Sequence, residues 1–130
     1  MDPIIAIKKA ELKSIAPQLV VPDVVATAEY YRDVFGFTIL GYFAEPPVYA
    51  MVARDGVEIH FGKAETAGMS NTSVRSGSFD VYIWVTDIDA IFEELTASGA
   101  DILEGPVKRI YESIEVVVKD CNGFVLTFAT

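Results

Sequence analysis

The chain's single histidine, His60, stands two residues after Glu58 in the run Val57-Glu58-Ile59-His60-Phe61. Side chains alternate faces along an extended strand, so Glu58 and His60 share one face and Val57, Ile59 and Phe61 the other. A carboxylate beside an imidazole can hold a cation, ligate a divalent metal or move a proton. The run Asp80-Val81-Tyr82-Ile83-Trp84 alternates in the same way, with Asp80, Tyr82 and Trp84 on one face. Near the end, Val125, Thr127 and Ala129 alternate with Leu126 and Phe128. Gln18 and Val20 sort likewise against Leu19 and Val21. The opposite face of each run is uniformly apolar, which supports this phase. The polar face is mixed: Gln18, Glu58, His60, Asp80, Tyr82, Trp84 and Thr127, with Tyr42, Phe43, Tyr49, Met51 and Tyr111 near enough to contribute. Rings beside carboxylates suit a flat or cationic organic guest, each cation–π contact being worth about 0.5–2 kcal/mol. For Trp84, core or dimer-interface packing is the favoured reading over a stacking platform.

The elements that must carry these residues follow from periodicity. Residues 16–21 form a short β-rich run. Val24, Ala28, Tyr31 and Phe35 then recur at helical spacing behind Asp23 as N-cap, and Gly36 is the stop. Strands are expected at 37–43, 48–54 and 57–61, the last two joined by the tight-turn pair Asp55-Gly56. The second half repeats the first. A strand is expected at 79–85, then a helix capped by Asp87, with Ile88, Ile91, Phe92 and Leu95 on its apolar face and Gly99 at its end. Strands follow at 102–103, 110–118 and 124–128, the last two joined by a second tight-turn pair, Asn122-Gly123. Asp23 and Asp87 are caps, not catalysts. Two copies of a βαβββ unit are the simplest account. The expected fold class is α+β, two tandem modules whose mixed sheets curl around a cavity. Module one covers about 14–63, a connector about 64–77 and module two about 78–130, after an N-terminal extension over 1–13. In that extension Ile4, Ile5, Ile7 and Leu12 are apolar and suited to packing across a dimer; a frayed tail is the alternative.

The 130 residues are one domain's worth, 52% hydrophobic and 22% charged, which excludes disordered and low-complexity classes. No apolar run reaches the roughly 18 residues of a membrane span, and the N-terminus lacks a signal-peptide pattern, so a cytoplasmic protein is expected. Ten Lys and Arg against 19 Asp and Glu give a net charge of −9. Such a field repels nucleic acid and anionic membranes and attracts cations, though solubility alone accounts for it. One cysteine, Cys121, allows no internal disulfide or thiolate cluster and lacks the setting of a nucleophile. Hydrolase and nucleotide-binding motifs are missing.

Five segments carry a resemblance: Val21-Pro22-Asp23, Tyr30-Tyr31-Arg32-Asp33-Val34-Phe35-Gly36-Phe37, Gly56-Val57-Glu58-Ile59-His60-Phe61, Val85-Thr86-Asp87-Ile88-Asp89-Ala90 and Lys119-Asp120-Cys121-Asn122-Gly123-Phe124. Over 14–129 the chain resembles the vicinal-oxygen-chelate superfamily, also called the glyoxalase/bleomycin-resistance/dioxygenase superfamily. It departs at Cys121, where a proline is usual, and at Tyr30-Tyr31, where Phe-Tyr is usual. The resemblance implies homodimers. In the superfamily's enzymes it implies a divalent metal on four strand positions, which fall here on Ala16, His60, Asp80 and Thr127. Ala16 offers no ligand atom and Thr127 a poor one, whereas catalytic zinc and iron sites keep three protein ligands. A metal enzyme would need Glu58, Glu115 or a second chain to complete the set.

The expected function is therefore that of a metal-free small-molecule-binding protein, with antibiotic sequestration of a cationic or aromatic ligand as the resistance-type role. Glu58, His60, Asp80, Tyr82, Trp84 and Thr127 are the expected ligand contacts. The alternative is a metal-dependent lyase, isomerase or dioxygenase, with His60 and Asp80 as ligands and Glu58 as a third ligand or general base.

Overall fold

The computed structural model describes residues 6–130. Module one runs β1 (Gln18–Val21), α1 (Val24–Phe35), β2 (Thr38–Phe43), β3 (Tyr49–Arg54) and β4 (Val57–Lys63). Module two runs β5 (Val81–Trp84), α2 (Ile88–Ala97), β6 (Asp101–Lys108), β7 (Ile114–Lys119) and β8 (Val125–Ala129). Each module forms its own four-stranded mixed sheet, ordered β1-β4-β3-β2 and β5-β8-β7-β6. First and last strands pair in parallel in both modules, and the other pairs are antiparallel. The tandem βαβββ repeat read from the sequence is what forms, with the two sheets unclosed.

Local chemistry explains the elements. The Asp23 carboxylate accepts from the Ala26 N–H and that of Asp87 from the Ala90 N–H, each at 3.0 Å, satisfying donors the first helical turn leaves free. Gly36 ends α1 at φ 74°, a left-handed conformation that costs glycine least. The apolar strand faces expected to meet the helices do so: Leu19, Val21, Ile59, Phe61, Val81, Ile83, Leu126 and Phe128 are buried in one core with Tyr31, Phe35 and Leu95. The modules dock through this helix side. Phe35 meets Phe128 edge to face at 6.2 Å, and the Tyr31 hydroxyl donates to Asp120 Oδ2 at 2.6 Å. Arg54 grips Glu94 through 3.0 and 2.9 Å bonds. The helix-covered faces are thereby spent on stability, which leaves the opposite face of each sheet for function. Among the described residues, no helix is long and apolar enough to cross a membrane.

Four local expectations need correction. Strand β7 begins at Ile114, not at 110. Residues 109–113 form a turn in which Arg109 N donates to Ser113 O at 2.8 Å and Glu112 adopts φ 76°. The two-residue strand at 102–103 grows to the eight residues of β6, with register shifts that let Gly105 (φ 108°) press against the β7 backbone. A Cβ there would run into the Glu115 carbonyl, so only glycine fits. Asp55-Gly56 forms the primed turn, with φ 49° and 81°. Asn122-Gly123 does not, because only Gly123 has a positive φ. That loop is instead organised by Asp120 Oδ1, which accepts from Asn122 N at 2.8 Å and Phe124 N at 2.9 Å. In the N-terminal extension, Ile4 and Ile5 lie outside the described residues. Residues 6–17 carry neither helix nor strand, and Ile7, Leu12 and Ile15 are exposed.

Candidate ligand-binding site

On the open face of the first sheet, strand register sets the geometry. Gln18 of β1 and Met51 of β3 both pair with His60 of β4, and Tyr49 pairs with Gly62 two residues along. This places Gln18, Tyr49, Glu58 and His60 on one face within side-chain reach. They form a chain. Glu58 Oε1 lies 2.8 Å from His60 Nε2, His60 Nδ1 lies 2.8 Å from the Tyr49 hydroxyl, and Gln18 Nε2 donates to that hydroxyl at 3.4 Å. A carboxylate only accepts, so Nε2 carries the hydrogen, leaving Nδ1 of a neutral imidazole to accept from Tyr49. The chain is open to solvent at both ends, with the Glu58 side chain 34% exposed at one and Gln18 exposed at the other.

The second sheet carries a closed cluster. Tyr82 of β5 pairs with Thr127 of β8, and Glu115 of β7 with Ala129. Glu115 is buried, yet each of its oxygens is met. Oε1 accepts from Arg109 Nε at 2.8 Å, and Oε2 from the Tyr82 and Tyr111 hydroxyls at 2.7 Å each. Burial alone would raise its pKa. The bonds from Arg109, Tyr82 and Tyr111 outweigh burial and hold the carboxyl below its ordinary value. Arg109 is also forked onto Glu104 at 2.8 and 3.0 Å, and the two carboxylates hold the guanidinium firmly charged. Desolvation chiefly raises the Tyr82 pKa, and the bond to Glu115 chiefly raises that of Tyr111, so both phenols stay protonated donors. Phe79 stacks tilted on Tyr82 at 4.9 Å, and Tyr82 meets Trp84 edge-on at 5.1 Å. These rings line an open cleft of about 570 Å³ that also takes in Tyr111, Glu112 and Ser113. Trp84, 68% exposed, also borders a second cleft of about 400 Å³ between the modules, floored by Phe37, Val57, Ile83 and Phe128.

The residues singled out in the sequence thus divide. Glu58 and His60 come together on the first sheet, and Tyr82 and Trp84 on the second. Neither cleft is lined by both pairs. Asp80 joins neither. Its carboxylate accepts from Ser70 Oγ at 2.6 Å, Asn71 N at 2.7 Å and Val125 N at 2.8 Å, pinning the connector to the head of β8. Thr127 is on the expected face but buried beneath its neighbours. Ala16 precedes β1, so the β1 residue level with His60 is Gln18. Sequence reasoning gave Tyr49 and Glu115 only peripheral parts and omitted Arg109, Ser113 and Phe79. The available signal was Glu115 itself, a lone acid at the head of the apolar run Val116-Val117-Val118, where burial demands a partner.

The side chains do not fit a caged divalent ion. Among the described residues no three His, Cys, Asp or Glu side chains come within metal-holding distance. Both His60 nitrogens are hydrogen-bonded, Asp80 is clamped by three donors, and Glu115 is neutralised by Arg109. Catalytic zinc and iron sites keep three protein ligands, and these groups are held apart by their own hydrogen-bond partners.

Comparison with known proteins accords with this architecture. The solved structure of a bleomycin-binding protein complexed with bleomycin superposes with a TM-score of 0.73 at 16% identity, covering 92% of this chain and 98% of that one. A bleomycin resistance determinant encoded on the transposon Tn5 gives the same values. TioX from Micromonospora sp. ML1 gives 0.71 at 20% identity, covering 90% and 97%. These likenesses establish the fold. No curated protein matches. The family model of the Glyoxalase/Bleomycin resistance protein/Dioxygenase superfamily matches residues 12–128, nearly the whole described chain, and the chain belongs to that superfamily.

Proposed function

We propose that the protein binds an organic small molecule without a metal ion, holding a cationic or aromatic guest against the rings of the second sheet, in the manner of a sequestering resistance protein. The observation that carries this reading is the cleft of Phe79, Tyr82, Trp84 and Tyr111, with Glu112 at its rim. Exposed rings held at fixed angles offer stacking surface at little entropic cost, and a rim carboxylate supplies countercharge. The bleomycin-binding protein shares the fold and was crystallised in complex with bleomycin, which supports an organic small-molecule guest here. The net charge of −9 favours encounter with cations. We further propose a cytoplasmic homodimer. Exposed Leu40, Phe43, Trp84 and Ile110 leave apolar surface that a second copy would cover.

Trp84 is the only tryptophan and sits in the cleft, so its fluorescence reports occupancy directly. Titration with bleomycin and with a set of cationic aromatic dyes is expected to quench it saturably for at least one compound. Tyr82→Ala is expected to weaken that binding by about tenfold or more, one lost stacking contact being worth roughly 1–2 kcal/mol. An unchanged spectrum throughout, or saturation that Tyr82→Ala leaves untouched, rejects the reading. Sedimentation measures the dimer.

A further inference from the structure

We propose that Tyr49 is an activated nucleophile, with His60 as its base and Glu58 orienting that base, able to take an acyl group from aryl esters. The hydroxyl lies 2.8 Å from His60 Nδ1, and His60 Nε2 lies 2.8 Å from Glu58 Oε1. Nucleophile, base and orienting carboxylate at such distances are the geometric signature of nucleophilic catalysis, recognised by roles and not by fold. The tautomer fixed by Glu58 leaves Nδ1 ready for the phenol's proton, and the imidazolium so formed would face a carboxylate. Gln18 Nε2 donates to the Tyr49 oxygen at 3.4 Å and would steady charge developing there as the proton leaves.

The other hydrogen-bonded phenols differ in one respect. Tyr82 and Tyr111 donate to Glu115, and Tyr31 donates to Asp120 in the core. Their partners are carboxylates already met by other donors, whereas the partner of Tyr49 is an imidazole nitrogen. The chain has six tyrosines and one histidine, so this pairing occurs once.

The step balances without a further reactant. The Tyr49 oxygen bonds to the ester carbonyl carbon as its proton passes to His60 Nδ1. The carbon–aryloxide bond breaks, and the aryloxide leaves with the proton from His60. Water then attacks acyl-Tyr49, giving a proton to His60 and returning free phenol and a carboxylic acid. The site uses the first sheet, so it stands or falls separately from ligand binding at the ring cleft.

The test treats the full chain with p-nitrophenyl acetate and follows nitrophenol release, with peptide mass spectrometry locating acetyl groups. The expected result is acetylation at Tyr49 well above that at Tyr42 and Tyr111 in the same molecules. His60→Gln is expected to slow its formation roughly a hundredfold, the scale of general-base assistance, and Glu58→Gln by a smaller factor. Tyr49→Phe keeps the ring and removes the adduct, with circular dichroism verifying the fold. Acetylation spread evenly over tyrosines and lysines, none at Tyr49, or a Tyr49 adduct indifferent to His60→Gln overturns the proposal.

Discussion

The two modules place different groups on matching strand positions and obtain opposite results. Gln18 pairs with His60 as Tyr82 pairs with Thr127, and Tyr49 pairs with Gly62 as Glu115 pairs with Ala129. Tyr49 and Glu115 are therefore counterparts, and so are Gln18 and Tyr82. Module one puts a phenol where module two puts a carboxylate. The difference lies in what burial then requires. The Glu115 side chain is 4% exposed and is met by a guanidinium and two phenols. The Glu58 side chain, at 34%, meets one imidazole and is otherwise open to solvent. A buried charge must be fully met by the protein, so the Glu115 carboxylate is closed off, while the rings bonded to it still face the cleft. An exposed one can leave its neighbours reactive.

Removing each carboxylate should give the largest contrast. Glu115→Ala empties a buried position and removes the acceptor shared by Arg109, Tyr82 and Tyr111, and is expected to cost about 2 kcal/mol. Glu58→Ala leaves groups that water can reach and should cost under about 1 kcal/mol. Urea unfolding of both variants measures the difference. Equal costs would remove the distinction between the two faces.

Acid should act next, with two carboxyls pulling in opposite directions. Glu115 has a depressed pKa in the fold, so its contribution is present above the ordinary carboxylate range and is lost as pH falls through the folded value. Asp120 runs the other way. Burial raises its pKa despite bonds from Tyr31, Asn122 and Phe124. Its ionised form is the less favoured one in the fold, so its contribution declines as pH rises from the ordinary value through the raised one. Stability curves from pH 3 to 7 are expected to lose acid sensitivity in Glu115→Gln. In Asp120→Asn, stability should no longer decline as pH rises through the window just above the ordinary Asp range. An unchanged acid limb in Glu115→Gln would place the acid-labile charge elsewhere.

The repeat, both helix caps and the two-faced alternation of the strands were legible in the sequence because each is local, a matter of spacing and of one side chain reaching its own helix end. The polar clusters were legible in part. Glu58 and His60 are two residues apart on one strand, so alternation alone joins them. Glu115 and Arg109 depend on a turn at 109–113 and on a bulged β6, neither of which has a period to read. Asp80 shows the limit from the other side. Alternation aligned it with Tyr82 and Trp84, but it precedes β5, where the chain bends and donors from the connector claim both oxygens. Asn122-Gly123 likewise matched a tight-turn pair, yet the side chain of Asp120 set a longer loop.

The finest contrast removes a single hydroxyl from each sheet. Tyr82→Phe and Tyr49→Phe both keep the ring, so packing is unchanged and only a hydrogen bond is lost. The Tyr82 hydroxyl joins Ser113 at 2.8 Å and Glu115 at 2.7 Å. Ser113 and Glu115 are both buried, so water cannot replace the missing donor, and the expected cost is about 1–2 kcal/mol. The Tyr49 hydroxyl serves His60 and Gln18 on an open face, where water takes its place and the cost should stay within about 0.5 kcal/mol. Thermal unfolding separates these outcomes by several degrees for a domain of this size. If Tyr49→Phe proved the costlier, the first sheet's chain would be a structural brace, and the openness that distinguishes it from the Glu115 cluster would carry no chemical meaning.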